Sequence, residues 1–163
     1  MKGITLHQPW ASAIAFKLKE YETRPRKTNY RGLIAIHAGK TKADDKVFES
    51  LSTIPWNEHL VRPMSRKWLS VNGDDFPTGA IVAVAEISDC IAMDDDTIAA
   101  QSAQERVLGH WETGRHAYKL ENIQALPKPI PVSGKQGLWN VDDETLALIK
   151  EQIELPEVTD DEE

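Results

Sequence analysis

This chain of 163 residues is poor in the features that most often announce a function. It has one cysteine, Cys90, which excludes an internal disulfide and fits a reducing compartment such as the cytoplasm. No apolar run approaches the roughly 20 residues that span a bilayer, so no membrane partner is expected. The opening Met1 to His7 turns polar too soon to read as a secretory signal. The five histidines have no metal-ligand spacing: there is no H-x-H, no H-E-x-x-H and no cysteine but Cys90 to join them. Neither a metal nor an organic cofactor is therefore expected. A glycine-rich phosphate loop and a G-x-S-x-G serine elbow are also lacking, which removes the commonest NTPase and serine-hydrolase readings.

The chain also lacks positive charge overall, with a formal net charge of −7. That total hides an uneven distribution. Residues 140–163 carry ten acids and one base, whereas Lys17 to Lys42 holds eight Lys or Arg against two acids. Screening cuts fields off within about 10 Å at ordinary salt, so a basic face attracts polyanions whatever the total charge. At 40% hydrophobic the chain can build one domain with a core, but hardly two.

Alternation and spacing predict the elements. Lys2 to Leu6 reads as a strand, and Pro9 opens a helix in which Trp10, Ala11, Ile14, Ala15 and Leu18 recur at helical spacing. Tyr21 to Arg24 is extended, with Pro25 disfavouring helix at Arg24. Leu33 to Ala38 is apolar on both faces, as a central strand would be. Thr41 to Ser52 reads as a helix, and residues 54–78 as an irregular insertion with one helix near Ser65 to Val71. Gly79 to Cys90 is the clearest strand, and one helix should run from Asp96 or Thr97 to about Trp111. Tyr118 to Leu126 is extended, and Pro127, Pro129 and Pro131 should force an open connection before a strand at Leu138 to Val141. Asp142 caps a last helix carrying Leu146, Ile149 and Ile153. Residues 1–153 thus form the domain, and 154–163 an acidic tail expected to be disordered. Short strands broken by helices without βαβ alternation predict an α+β, mainly β fold: a mixed barrel with peripheral helices.

The chemistry concentrates in Lys19-Glu20-Tyr21-Glu22-Thr23-Arg24. On an extended chain Glu22 and Arg24 share one face, so Glu22 can hold the Arg24 fork for phosphate or base recognition. Lys19, at the helix exit, can point into the same space. A solvated surface ion-pair cluster is the competing reading. The free N–H groups of the first turn after Pro9 offer a phosphate site, weighed against an ordinary packed helix. His37, at the end of a strand, either lines a site or is a hydrogen-bonded structural residue. Gly134-Lys135-Gln136-Gly137-Leu138-Trp139 is a glycine-bracketed loop in which Lys135 can meet a phosphate, or a turn that places Trp139 in the core. Glu86 can be paired with Lys19 or Arg24, or reach solvent.

Lys17 to Arg24, followed by Tyr30-Arg31-Gly32-Leu33-Ile34-Ala35-Ile36-His37-Ala38 and closed by the GKQGLW loop, resembles an ASCH domain of the PUA-like superfamily over residues 2–141. The family signature is G-x-K-x-x-E-x-R. Lys17 stands where its glycine belongs, while Lys19, Glu22 and Arg24 match. The resemblance implies a PUA-like barrel whose cleft binds RNA or a nucleotide. Arg24, Arg31 and Lys135 would contact phosphates, Trp10 or Tyr21 would stack on a base, and Lys19 and Glu22 would read its edge. One branch of the family deacetylates N4-acetylcytidine with a lysine matching Lys19, a threonine where Glu22 stands here, and a later glutamate, which only loose alignment places at Glu105. Ribonuclease activity is ascribed to other members. A hydrolase using Lys19 as general base, with Glu22 and Glu105, is therefore the alternative, and a protein-interaction module the third reading.

Overall fold

A computed structural model describes residues 1–41 and 76–156. The helices expected at 41–52 and 65–71, most of the insertion at 54–78 and the end of the acidic tail lie outside the described residues. Among the described residues six strands form one sheet: β1 (Lys2–Leu6), β2 (Tyr21–Arg24), β3 (Gly32–Ala38), β4 (Ala80–Ala92), β5 (His116–Pro131) and β6 (Leu138–Asn140). Their order is β2-β5-β4-β3-β1-β6, with β1 and β3 parallel and every other pair antiparallel. Among the described residues four helices accompany it: α1 (Trp10–Ala15), α2 (Asp95–Ala99), α3 (Ala103–Val107) and α4 (Asp143–Gln152).

The sheet curls because β4 and β5 are long and bulged. Their register shifts at three places, and each extra residue bends the strand and increases its twist. Each face carries its own core. On one side, Ile4, Leu6, Ile34, Ile36, Val82, Ile87 and Leu120 pack with Ala11, Ile14 and Ala15 of α1. On the other, Ala35, Ile81, Val84, Leu126 and Ile130 pack with Trp139 and Ile149 of α4. Being covered on both faces is what makes β3 and β4 apolar at successive positions. Burying an Ile or Leu side chain here is worth about 1.5–3 kcal/mol. Gly3 permits a close approach, since a Cβ there would lie 2.7 Å from the Trp139 ring.

Two expectations change. The segment before β5 holds two short helices rather than one, because Asp94 Oδ1 caps α2 by accepting from Thr97 N at 2.7 Å and Ser102 Oγ starts α3 by accepting from Glu105 N at 3.0 Å. The three prolines do not leave the sheet. Pro127 and Pro129 fall in a wide bulge between the pairs Ala83–Ala125 and Ile81–Ile130, where no ladder donor is required. Val132 N donates to Gly79 O at 3.1 Å, so its neighbour Pro131 turns its missing donor away from β4. The strand therefore runs through the prolines. Residues 154 and 155 lie against the sheet, Gln124 Nε2 donating to Glu154 O at 3.2 Å while Leu155 joins the second core.

Candidate functional site

The site is set by how α1 ends. Lys17 N donates to Ile14 O at 2.8 Å and Leu18 N to Ala13 O at 2.9 Å, the paired bonds of a Schellman stop. Lys17 takes the left-handed conformation that this stop demands, with φ +60°. The chain then doubles back, burying Lys19, and enters β2, where Glu22 pairs with Tyr118 and Arg24 with His116. The period of two aligns Glu22 with Arg24. Arg24 Nε donates to Glu22 Oε1 at 2.8 Å and Arg24 Nη2 to Thr5 O at 2.8 Å, while Lys19 Nζ lies 3.5 Å from Glu22 Oε2. The Lys19 ammonium also sits 5.9 Å from the Trp10 ring centroid, on its face. Glu22 thus bridges two cations, and its side chain is 10% exposed. Removing it would strand a buried ammonium, a loss of about 3–5 kcal/mol for pairs of this kind.

These residues open into a cleft of about 550 Å³. Lys19, Glu22, Thr23 and Arg24 line it on one side and Trp10, Leu6 and Leu108 supply apolar wall. Gly109, His110 and Arg115 complete the lining. Gly109 is required there: a Cβ would come within 2.7 Å of Trp111 Nε1. Thr23 Oγ1 fixes this segment by accepting from His110 N at 3.0 Å. Glu22 is the one acid among the described lining residues, against Lys19, Arg24 and Arg115, so the wall is net positive in a net acidic protein.

The other candidates lie outside this lining. Tyr21 packs edge-on against Trp111, ring centroids 5.4 Å apart. Arg31 is at the surface, its Nη2 3.2 Å from Asp89. Lys135 is exposed, on the loop leading to β6. His37 is buried, its Nε2 2.8 Å from Val132 O and its Nδ1 3.2 Å from Thr5 Oγ1, with the Trp139 ring edge-on. Because a carbonyl only accepts, Nε2 carries the proton and Nδ1 accepts from Thr5. Burial lowers the pKa of His37 and the Val132 carbonyl raises it, with a net lowering. Glu86 pairs with Asn122 at 2.9 Å.

Glu105 is held beneath β2, its two oxygens accepting from Glu20 N at 3.0 Å and Tyr21 N at 3.2 Å. Burial raises its pKa, opposed by those two backbone donors and by the Lys19 charge. The Ser102-x-x-Glu105 spacing suits a capping box, yet the acid is diverted from its own helix to the neighbouring strand. The first turn of α1 is sealed as well: Gln8 Oε1 accepts from Ser12 N at 3.1 Å, and Trp10 N and Ala11 N donate to His7 O. The phosphate site considered there is occupied by the chain itself. Sequence reasoning missed Arg115 and His110, because no local pattern marks them. Pairing of β2 with β5 brings both to the motif from about 90 residues away.

A curled six-stranded sheet with a charged cleft at the end of its first helix defines a PUA-like fold. Within that class the chain belongs to the ASCH domain family, whose model matches residues 4–130. ASCH from Zymomonas mobilis superposes with a TM-score of 0.58 over 93% of this chain and 95% of that one, at 17% identity. A point mutant of the same protein gives 0.54 over 93% and 98%, also at 17% identity. Activating signal cointegrator 1 of Mus musculus is 24% identical over 142 residues, and that of Homo sapiens 22% over 139. Each match covers 85% of this chain but only 22% of the cointegrator. The ASCH family is linked to RNA binding. Among the described residues no helix is long and apolar enough to cross a membrane.

Proposed function

We propose that this protein binds single-stranded RNA, or a nucleotide unit of it, in the cleft of Lys19, Glu22 and Arg24. The observation that carries this reading is their convergence on one concave, net positive site with an aromatic wall. Lys19 and Glu22 offer a donor and an acceptor side by side, the pair needed to read a base edge, and Trp10 offers a ring for stacking. Arg24, already braced by Glu22 and the Thr5 carbonyl, presents its guanidinium with little left to order on binding. The single cysteine fits work in the reducing cytoplasm.

Affinity for a short single-stranded RNA, measured across salt concentrations, tests this. Two or three phosphate contacts at about 0.7 ions released per contact predict roughly tenfold weaker binding for a fourfold rise in salt. Absence of binding at low salt would refute the reading and favour a protein-interaction module.

The buried Lys19–Glu22 contact also supports the hydrolase reading, with N4-acetylcytidine as the substrate to try. Two observations weigh against it. Glu22 stands where that branch has threonine, and Glu105, engaged with the backbone of β2, is not among the described lining residues. Release of cytidine by the wild type, abolished in Lys19→Arg, would establish hydrolysis, since arginine cannot serve as a base near neutral pH.

A further inference from the structure

We propose that Arg115 is the second phosphate-binding residue of the cleft, so that its ligand is a phosphate-bearing nucleotide rather than an uncharged nucleoside. The proposal rests on the RNA-binding reading and deepens it. Arg24 and Arg115 meet at the end of the β2–β5 pair: Arg24 faces His116 across the ladder, and Arg115 is the next residue out. Both line the cleft. Each guanidinium is fixed by main-chain carbonyls. Arg24 Nη2 donates to Thr5 O at 2.8 Å, while Arg115 Nε donates to His110 O at 3.1 Å and Arg115 Nη2 lies 3.4 Å from Thr23 O.

The two arginines differ in one respect that matters. Glu22 neutralises Arg24 directly, but the described structure gives Arg115 no carboxylate partner. Carbonyls orient a guanidinium without cancelling its charge, so Arg115 brings to the cleft a cation already aimed and not yet paired. A phosphate dianion or diester is the group that such a fork accepts through two parallel hydrogen bonds. Lys19 is buried and shares the Glu22 carboxylate with Arg24 at the longer distance of 3.5 Å, a donor beside an acceptor that serves a base edge. Charge thus sorts the cleft into a base side by Trp10, Lys19 and Glu22, and a phosphate side at Arg24 and Arg115. Glu22 is the one acid of the described lining, and its charge is outweighed by Lys19, Arg24 and Arg115. Arg31 and Lys135, exposed and off this lining, are replaced in that role by a residue from the loop before β5.

The test uses the intact chain with the four ribonucleoside 5′-monophosphates, the four nucleosides and a mixed-sequence RNA hexamer. We expect at least one monophosphate to bind tenfold or more tightly than its nucleoside. Arg115→Ala should collapse that gap to threefold or less, and Arg115→Lys should keep an intermediate value. For the hexamer, Arg115→Ala should lower the slope of log affinity against log salt by about 0.7, a change that a purely structural role would not produce. Circular dichroism and melting of each variant check that the fold is kept. If the hexamer binds but its slope is unchanged in Arg115→Ala, or nucleosides bind as well as monophosphates, the phosphate assignment fails and the RNA reading stands. If the wild type binds no RNA at all, both fail.

Discussion

Lys17 occupies a position that its own chemistry disfavours, and replacing it by glycine should stabilise the protein. Its φ of +60° lies in the left-handed region, where the Cβ of an L-residue crowds the following carbonyl at a cost of about 1–2 kcal/mol. Glycine removes that crowding but adds about 0.4–1 kcal/mol of chain freedom to the unfolded state. The lysine charge at the end of a helix contributes only about 0.3 kcal/mol, and Lys17 is exposed, so no packing is lost. Lys17→Gly should therefore gain about 0.5 kcal/mol. For a chain of this length that corresponds to a rise of about 1–2 °C in Tm. Urea titrations of Lys17→Gly, Lys17→Ala and the wild type separate conformation from charge, because alanine loses the charge yet keeps the crowding. A glycine variant no more stable than the alanine variant would refute the argument. The glycine of the family signature is, on this account, a helix stop and not part of the binding chemistry.

Glu105→Ala leaves two partly buried N–H groups without their charged acceptor and should cost about 1–3 kcal/mol in urea unfolding, part of the gross loss being offset by the relieved burial of charge. The raised pKa of Glu105 means that its contribution is fully present below the ordinary glutamate range and declines as pH rises through the folded value; Glu105→Gln should flatten that segment of the stability–pH curve. His37, with its pKa lowered, works in the opposite sense. Its contribution is present above about pH 6.5 and is lost as pH falls through the folded value, so His37→Gln should remove part of the acid sensitivity seen in thermal melts. Arg31→Ala and Lys135→Ala, both off the cleft, should each change RNA affinity by less than about threefold, against tenfold or more for Arg24→Ala; equal losses at all three would place the RNA elsewhere.

What the sequence disclosed follows from the range of the forces that set it. The strands at Ile81-Val82-Ala83-Val84-Ala85 and Leu33 to Ala38 are written in successive apolar positions, and the last helix in Asp142, whose Oδ1 accepts from Thr145 N at 2.7 Å. The Lys19–Glu22–Arg24 constellation was legible because a helix exit and one short strand are enough to assemble it. Contacts made by long-range pairing were not. Glu105 as the acceptor for the chain entering β2 and Arg115 in the cleft both depend on which strand lies beside which, and neighbouring residues do not encode that. The prolines misled for a related reason: whether a missing donor matters depends on which edge of the strand it faces.

The place of β1 has a consequence for how the protein is made. Lys2 to Ile4 are bonded on one side to residues 34–36 and on the other to residues 138–140, so β1 cannot be completed before β6 has been made. Its parallel partner β3 cannot be joined by a tight hairpin, and β6 closes a loop of well over 100 residues. Nothing local rewards β1 for being in place, and loop closure must precede the gain, which slows folding. The native sheet is thus incomplete until residues 138–140 are available to β1. Until then the apolar faces of β3 and β4 have no finished core to enter, and the unfinished sheet should be most prone to aggregate in that interval.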